Sequence, residues 1–299
     1  MTPELGSPIE VVPPHAARVP LVVSSPHSGQ LYPPGLLAGV QVELALLRRL
    51  EDGPVDRLFG CAPALGAPLL HARFARAYVD PNREAFELDR ELFDGALPAY
   101  VNTLSVKARA GLGTIPSRIG GRAIYRAPLG FAEAERRIRL AYWPYHQALQ
   151  GLLAKARAEF GVVLLLDCHS MPSLTSAGAG APDGGIDFAL GDRFGRSCSP
   201  LVIERAERVL RRHGFQVARN RPYAGGHITA RYGQPDADLH ALQIEVRRGL
   251  YMCERSLRPH ASMDRLQGAI RELLVELAGL TADRLAPGPA AALGLSNAS

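Results

Sequence analysis

Segments with the residue pattern of β-strands alternate with segments of helical periodicity along almost the whole chain. The strand candidates are short apolar runs, such as 19–25 and 162–166, and the helix candidates repeat apolar residues every three or four positions. Alternation of this kind is typical of folds in which helices cover a central sheet. The pattern therefore predicts an α/β protein, a three-layer α/β/α sandwich with a mostly parallel or mixed central sheet.

Further segments complete the predicted order of elements. The other strand candidates are 67–80, which could hold one or two strands, 187–192 and 240–252. The helix candidates are 42–50, 131–161, 199–214 and 262–279. Pro144 interrupts the longest helical segment, and a proline inside a helix kinks or divides it.

The length of 299 residues with 47% hydrophobic content is enough for one large α/β domain or two small ones. No internal repeat and no clean linker are present, so we predict a single domain over 1–285 and a disordered tail over 286–299. No run approaches the roughly 20 apolar residues of a membrane span, and the N-terminus lacks the pattern of a signal peptide. We therefore expect a cytoplasmic protein with no membrane partner.

The net charge of +5 comes almost wholly from arginine, because Lys107 and Lys155 are the only lysines. No basic run is interleaved with aromatic residues, so we expect no nucleic-acid partner. The four cysteines are scattered without a Cys-x-x-Cys pair. Their spacing argues against a thiolate zinc site and against a disulfide framework. The sequence does not indicate an oligomeric state.

Two histidines follow predicted strands in similar surroundings of small polar residues. His27 lies in "VVSSPHSG", and His169 lies in "LLLDCHSM", where the apolar run 162–166 is expected to end. Open α/β sheets bind ligands at the carboxyl ends of their strands. One such histidine is more often structural than a ligand, but two beside small residues favour a metal. A catalytic zinc takes three ligands of the histidine and carboxylate type and keeps a position for water.

The third ligand would have to be a carboxylate. The segment "LEDGPVDRLFG" supplies the candidates Glu51, Asp52 and Asp56. Asp52 precedes Gly53-Pro54, a turn that would expose its side chain. Asp56 lies next to Arg57 and could form a surface ion pair with it. The residues alone leave this choice open.

Glu245 lies inside an apolar strand candidate, between Ile244 and Val246. Gln243 and Arg247 are on the same face of that strand, because strand side chains alternate between the two faces. A carboxylate in such a place either forms a salt bridge to an arginine or acts as a general base. Both interpretations remain open from the residues alone.

Asn82 and Arg83 end a strand candidate in "VDPNRE". They form either a turn with an exposed arginine or an arginine fork and an amide that together hold a substrate carboxylate. Arg118 and Arg126 lie in the glycine- and proline-rich segment "GTIPSRIGGRAIYRAP", which is unusual for arginines of a solvated helix face. They are further candidates for binding a carboxylate.

Several motifs together resemble the N-formylglutamate amidohydrolase family. They are "VVSSPHSGQLYP", "VDPNRE", "DCHSMPS", "LGDRFGRSC", "GGHITARYG" and "HALQIEVRRGLYM", and they occur in the family's order from about Leu21 to Tyr251. The resemblance implies a phosphorylase/hydrolase-like fold, related to the zinc carboxypeptidases and to the aspartoacylase and succinylglutamate desuccinylase group. It also implies zinc-dependent hydrolysis of a small-molecule carboxylate substrate, N-formyl-L-glutamate, to formate and L-glutamate.

The resemblance also implies roles for individual residues. Related zinc hydrolases hold the metal through a histidine, a glutamate three residues later and a distant histidine, but Gln30 stands at the glutamate's position here. Asp52 takes the third ligand's place by its position in the family pattern, with Asp56 as the alternative. The implied metal ligands are therefore His27, Asp52 and His169. The implied base is Glu245, and the implied carboxylate-binding pair is Asn82 and Arg83. Arg126, and after it Arg118, is our candidate for one further arginine that binds the substrate.

Other interpretations remain. A zinc hydrolase of the same architecture could act on another N-acyl amino acid or a small peptide, and a homologue without metal could bind a carboxylate without catalysis. A cysteine hydrolase using Cys168 with His169 is disfavoured, since adjacent strand residues point to opposite faces. The segment 173–185 could act as a lid or form a plain surface loop.

Overall fold

The central strands of the protein are apolar on both faces, because helices cover the sheet on both sides. The computed structural model describes residues 5–173, 185–280 and 285. In chain order its strands are β1 (Ile9–Val12), β2 (Leu21–Ser25), β3 (Leu69–Ala72), β4 (Arg118–Ile119), β5 (Arg122–Ala123), β6 (Val163–Met171), β7 (Phe188–Gly191), β8 (Val217–Arg219), β9 (Leu239–Arg247), β10 (Met252–Cys253) and β11 (Arg258–Pro259).

The main sheet of the described residues has seven strands in the order β1-β3-β2-β6-β9-β7-β8. Strands β3, β2, β6 and β9 are parallel to one another. Strand β1 is antiparallel to β3, β7 is antiparallel to β9, and β8 is parallel to β7. The sheet is therefore mixed, as the sequence predicted. The β4–β5 and β10–β11 pairs form short hairpins outside it.

Helices cover both faces of this sheet. In chain order they are α1 (Pro34–Gly39), α2 (Leu44–Leu47), α3 (Val55–Leu58), α4 (Val106–Arg109), α5 (Phe131–Arg137), α6 (Trp143–Phe160), α7 (Pro200–Arg212), α8 (His227–Tyr232) and α9 (Met263–Ala278). Apolar residues of α3, α7 and α9 form one core with the sheet, and those of α5, α6 and α8 form the other. This arrangement confirms the predicted α/β/α architecture.

Alternate residues of β6 contribute to the two cores. Leu164 and Leu166 belong to the core with α7 and α9, whereas Val163 and Leu165 belong to the core with α6. The prediction that this strand ends at Leu166 is wrong, because all nine residues through Met171 are strand and are buried. Polar residues continue the strand because β9 pairs with its whole length. His169 is therefore held by strand pairing with β9 and does not lie in a turn.

The longest helical segment is divided just before its proline. A π-helical turn, Ile138–Tyr142, separates α5 from α6, and Pro144 lies in the first turn of α6. Proline has no N–H to donate to the preceding turn, so a change of helix type at this point has a direct cause. The expected division of the segment is confirmed.

The segment 67–80 forms one strand, and a second strand in it is not found. Beyond β3 the Arg73 N–H donates to the carbonyl oxygen of Pro8, and the Ala75 N–H donates to that of Leu31. These partners lead the backbone away from β2 and carry Asp80 towards the carboxyl edge of the sheet. The predicted tail 286–299 and all but the ends of the predicted lid 173–185 lie outside the described residues.

No helix among the described residues combines the length and the apolar character needed to cross a bilayer.

The turn after β2 depends on a glycine. A Cβ at Gly29 would lie 2.1 Å from the Phe74 carbonyl oxygen, which is backbone and cannot move aside cheaply. We therefore expect Gly29→Ala to lower the free energy of unfolding by about 1–3 kcal/mol, the usual cost of overpacking. Thermal or urea denaturation measures it.

A matched control is Gly151→Ala in the exposed middle of α6, where a Cβ meets nothing within 4 Å. Alanine is the better helix former by about 1 kcal/mol, so this variant should be slightly stabilised. Equal stability changes in the two variants would contradict the packing of the Gly29 turn described here.

Candidate active site and metal centre

Three neighbouring parallel strands bring the predicted site residues to one edge of the sheet. His27 follows the end of β2, while His169 and Glu245 are paired residues of β6 and β9. Because the three strands run in the same direction, their carboxyl ends open on the same side. Side chains that are far apart in the sequence therefore meet at this edge.

A cavity of about 450 Å³ opens there. Acidic, imidazole and basic side chains all contribute to its lining. The segment 222–226, which precedes α8, closes a further side of the cavity. The lining includes His27, Asp52, Asn82, Arg83, His169 and Glu245.

His27, Asp52 and His169 form a buried cluster at the base of the cavity. The Nδ1 atom of His27 is 3.3 Å from Oδ2 of Asp52, and Nδ1 of His169 is 2.9 Å from the same oxygen. The two Nδ1 atoms are 3.1 Å apart. Among the described residues, these three have the donor atoms and the spacing that could hold a metal ion.

The second ring nitrogen of His27 is fixed by Asp80. Nε2 of His27 donates to Oδ1 of Asp80 at 2.8 Å, so Nδ1 carries the lone pair that faces Asp52. Asp80 is itself held by Arg76, whose Nε donates to Oδ2 at 2.8 Å, and by the Asn82 N–H at 2.8 Å. A carboxylate behind a histidine in this way orients the ring and raises its basicity as a ligand.

The second ring nitrogen of His169 faces two polar side chains. Nδ2 of Asn82 lies 3.0 Å from Nε2, and Oδ1 of Asp167 lies 3.1 Å from it. The Asn82 amide is oriented by the Ile228 N–H, which donates to its Oδ1 at 2.8 Å. Oδ1 of Asp167 is buried and has no other hydrogen-bond partner, so it can accept a proton carried by Nε2, and Nδ1 can then offer its lone pair. These neighbours keep Nδ1 of His169 directed at Asp52.

The other oxygen of Asp52 and its backbone are held by residues at the end of β6 and after β9. Nη2 of Arg248 donates to Oδ1 of Asp52 at 3.2 Å. The hydroxyls of Ser170 and Tyr251 both donate to the Asp52 carbonyl oxygen, at 2.6 and 2.9 Å. Asp52 can therefore offer Oδ2 to a cation while Oδ1 stays paired.

The charges around the cluster favour a cation at its centre. Burial by itself would raise the pKa of Asp52, but His27 and His169 lower it well below its usual value. Burial would lower the pKa of His169, but Asp167, Asp52 and Glu245 raise it well above its usual value. The surroundings of His169 thus stabilise positive charge, which a divalent ion could also supply.

The donor atoms suit zinc. A tetrahedral zinc with bonds of about 2.0–2.1 Å has neighbouring ligand atoms about 3.3 Å apart. The three donor atoms are 2.9 to 3.3 Å apart. Two imidazole nitrogens and one carboxylate oxygen are also the ligand types of catalytic zinc sites, which keep a fourth position open. His27, Asp52 and His169 therefore fit a zinc ion.

Glu245 is buried beside the cluster. Its Oε1 accepts a hydrogen bond from Nε2 of Gln243 at 3.0 Å, and Gln243 accepts one from the Gly226 N–H at 2.7 Å. Burial raises the pKa of Glu245 to about 7, with His169 opposing this shift and Asp52 adding to it. A carboxyl group that titrates near neutral pH is suited to accept and return a proton.

The alternative role of Glu245, a salt bridge to an arginine, is not what the structure shows. Arg247, its neighbour on the same strand face, pairs with Asp187 instead. Arg76 acts on the pKa of Glu245 through its charge and lowers it, but Nε of Arg76 is bonded to Asp80. The geometry of the described residues therefore favours the general-base interpretation.

The structure separates the three carboxylates of the segment 51–56. Glu51 is fully buried and accepts hydrogen bonds from Tyr32 at 2.6 Å and from Gln30 at 3.2 Å. Gln30, where related hydrolases have a glutamate ligand, is thus a structural partner of Glu51. Asp56 lies in the first turn of α3, outside the metal-type cluster. Of the three, Asp52 is the one that reaches the histidines.

Arg83 lines the cavity, and backbone oxygens hold its guanidinium in place. Nε donates to the carbonyl of Leu112 and Nη1 to that of Asn82, each at 2.7 Å. Nη2 lies 3.8 Å from Oδ2 of Asp80. The Tyr142 hydroxyl donates to the Arg83 carbonyl at 2.8 Å and anchors the loop from behind. Arg83 is placed as the carboxylate-binding role requires, whereas Asn82 is occupied by His169.

The structure does not bring Arg118 and Arg126 to this cavity. They line a separate depression of about 180 Å³ together with Asp89 and Glu91. Nη2 of Arg118 pairs with Glu91 at 2.8 Å. The reason is the β4–β5 hairpin, which carries Arg118 and pairs with itself outside the main sheet. The predicted contact of these two arginines with the substrate therefore has no support in the geometry.

Sequence reasoning did not single out several residues of the cavity. They are Arg49, Arg76, Lys107 and Arg248, which line it, and Asp80, which lies behind His27. Asp80 had a usable signal, since it stands two residues before Asn82 in "VDPNRE" and Arg76 stands four residues before it. Arg49, Lys107 and Arg248 lie in short helical turns that no periodic pattern connects to the strand ends.

Cys168 lies on the opposite face of β6 from His169, as expected. Its side chain belongs to the core with Leu166, and its Sγ donates to the Leu166 carbonyl at 3.6 Å. Burial raises the pKa of the thiol well above its usual value. Cys168 is therefore a core residue, and a cysteine nucleophile at this site is excluded.

The fold and the site together define an α/β protein with a buried centre of two histidines and one carboxylate at the carboxyl edge of its sheet. The model of the N-formylglutamate amidohydrolase family matches residues 19–252, which include every residue of that centre. The chain belongs to this family, and it is accordingly an amidohydrolase.

Proteins named N-formylglutamate deformylase or N-formylglutamate amidohydrolase are similar to the chain over most of its length. The N-formylglutamate deformylase of Pseudomonas aeruginosa is 36% identical over 265 residues, which cover 87% of this chain and 91% of the relative. That of Pseudomonas putida is 32% identical over 246 residues, which cover 80% and 84%. The crystal structure of N-formylglutamate amidohydrolase from Ralstonia eutropha JMP134 matches with a TM-score of 0.85 at 38% identity, covering 91% of this chain and 97% of that one.

The cluster geometry predicts different effects for two neighbouring aspartates. Asp52→Asn should lose most of the zinc that the purified protein holds, because a neutral amide is a poor zinc ligand. Asp56→Asn, four residues away and outside the cluster, should retain it. Elemental analysis by mass spectrometry measures the ratio of metal to protein. The reverse ranking would move the ligand role to Asp56.

Proposed function

We propose that the chain is a zinc-dependent amidohydrolase that converts N-formyl-L-glutamate and water to formate and L-glutamate. The observation that supports it most is the buried cluster of His27, Asp52 and His169 with Glu245 beside it in one cavity. Family membership and two relatives named N-formylglutamate deformylase support the choice of substrate.

The chain's own residues supply binding and proton transfer. His27, Asp52 and His169 would hold the ion, which in such sites polarises a carbonyl and lowers the pKa of a bound water towards ~7. Asp80 and Asp167 face the far nitrogens of the two imidazoles and can keep the rings in the orientation that this requires. Binding of the substrate in the cavity would place its formamide at the base, next to Glu245.

Glu245 would act as the base. In its ionised form it takes a proton from the water as that water attacks the formyl carbon. The protonated Glu245 then gives a proton to the nitrogen as the C–N bond breaks, so glutamate leaves as the amine and formate as the acid. Burial raises the pKa of Glu245 to about 7, so Glu245 can both accept and donate a proton near neutral pH.

Basic side chains would select the substrate by its carboxylates. A formyl group offers one hydrogen on the acyl side, so recognition must come from the amino-acid end. Arg83 projects into the cavity from the loop that also carries Asn82, and its guanidinium is pre-oriented by two carbonyl oxygens. A guanidinium held in this way loses little freedom when it binds a carboxylate.

The role of Glu245 predicts a loss of turnover without a loss of metal. Glu245→Gln should retain its zinc and its fold but lower kcat by about 10²- to 10⁴-fold, the usual worth of a positioned base. The wild-type kcat/KM should fall as the pH drops and Glu245 becomes protonated. Because a bound cation lowers a neighbouring carboxyl pKa, this limb should lie at or below the pKa of about 7 that Glu245 has without metal.

Steady-state kinetics with zinc analysis measures these effects. A Glu245→Gln variant that loses its zinc would identify Glu245 as a ligand. A variant that unfolds would identify it as a structural residue.

The role of Arg83 predicts a dependence on the substrate's charge. The wild type should prefer N-formylglutamate over N-formylleucine, and Arg83→Ala should lower kcat/KM for N-formylglutamate by about 30-fold or more, as loss of a buried charge partner does. Arg126→Ala is the matched control and should leave the kinetics unchanged, because Arg126 lines a separate depression. Equal cleavage of both substrates, or equal effects of the two variants, would contradict the assignment.

A further inference from the structure

Five basic side chains line the cavity, and they differ in what they are bound to. These side chains are Arg49, Arg76, Arg83, Lys107 and Arg248. Arg76, Arg83 and Arg248 make hydrogen bonds to other residues of the site. The side chains of Arg49 and Lys107 form no hydrogen bond or ion pair with the described residues, and Lys107 also faces Arg83 and Arg76. The charges of these two arginines act on Lys107 more strongly than the carboxylates of Glu87 and Asp80, so this part of the cavity favours a bound anion.

The backbone of the segment 107–112 ties Lys107 to the orientation of Arg83. Lys107 lies in α4, whose first turn is capped by the Ser105 hydroxyl, which accepts from the Ala108 N–H at 2.9 Å. The Leu112 N–H donates to the Lys107 carbonyl at 2.8 Å, and the Leu112 carbonyl accepts from Arg83 at 2.7 Å. One short loop therefore positions both basic groups on the same side of the cavity.

The position of Lys107 suits the outer part of a substrate. Its side chain is exposed, whereas the metal-type cluster is buried at the base of the cavity. Partial burial lowers the pKa of Lys107, the charges of Arg83 and Arg76 lower it further, and Glu87 and Asp80 oppose this shift only in part, so a bound anion would relieve repulsion there. An amino acid that places its formamide at the base directs its side chain towards the open end.

We propose that Lys107 binds the side-chain carboxylate of the substrate and so selects dicarboxylic N-formyl amino acids over neutral ones. The inference rests on the proposed function, since it assigns a partner to the second carboxylate of N-formylglutamate. Arg83 takes the carboxylate nearer the formamide. The carboxylate two methylene groups further out meets the flexible stem of Lys107, which follows it more readily than a fixed guanidinium would.

The test compares a charged substrate with its neutral counterpart of the same shape. Lys107→Gln should lower kcat/KM for N-formylglutamate by about 10- to 100-fold, mostly through KM, as loss of one charge-assisted hydrogen bond does. Its kcat/KM for N-formylglutamine and its zinc content should stay unchanged. Lys107→Arg should recover part of the preference for glutamate.

Lys155→Gln is the matched control, since Lys155 is the one other lysine of the chain and is exposed on α6. It should behave as the wild type does on both substrates. Equal losses on both substrates in Lys107→Gln would show a structural role and overturn the inference. If the wild type hydrolyses N-formylglutamate and Lys107→Gln keeps the same preference for it over N-formylglutamine, the inference is also overturned. The proposed function would stand in that case. If the wild type hydrolyses neither formamide, both the inference and the proposed function are overturned.

Discussion

Two imidazole nitrogens and one carboxylate oxygen converge inside this protein at 2.9 to 3.3 Å from one another. An imidazole that offers its lone pair there repels the carboxylate, so the arrangement needs positive charge, either a proton on an imidazole or a metal ion. The surrounding contacts preserve this arrangement. Asp80 holds the far side of one ring, Asp167 faces that of the other, and Arg248 holds the second oxygen of Asp52. Positive charge among these three groups is therefore the constraint around which the site is arranged.

The sheet makes that convergence possible and adds the base to it. Because β6 and β9 are parallel and in register, His169 and Glu245 are adjacent partners on one face, and Asp167 and Gln243 are the next pair. Both strands are buried over nearly their whole length, so the polar ends of the two ladders lie in a region of low dielectric. Burial strengthens the electrostatic interactions between the charged groups there, and it raises the pKa of Glu245 to about 7.

The sequence predicts the architecture and the histidines of the metal-type cluster better than it predicts the residues around that cluster. Long periodic segments and the two strand-end histidines carry their own signals, and those signals led to the α/β/α sandwich and to His27 and His169. The choice between Asp52 and Asp56 depended on which side of a turn faces the sheet, which is decided by packing against Ser170 and Tyr251. Arg118 and Arg126 were expected at the substrate because they lie in a glycine- and proline-rich segment, but that segment packs away from the cavity.

The packing of irregular segments decides which further residues reach the site. Lys107 reaches the cavity because the segment 107–112 is bonded to Arg83, and Asp80 reaches His27 because the backbone after β3 leaves the sheet. Anomalous diffraction from crystals of the purified protein, recorded on both sides of the zinc absorption edge, tests the central claim most directly. The account predicts one peak between Nδ1 of His27, Oδ2 of Asp52 and Nδ1 of His169. Crystals of active protein with no peak there, or with zinc bound elsewhere, would contradict it.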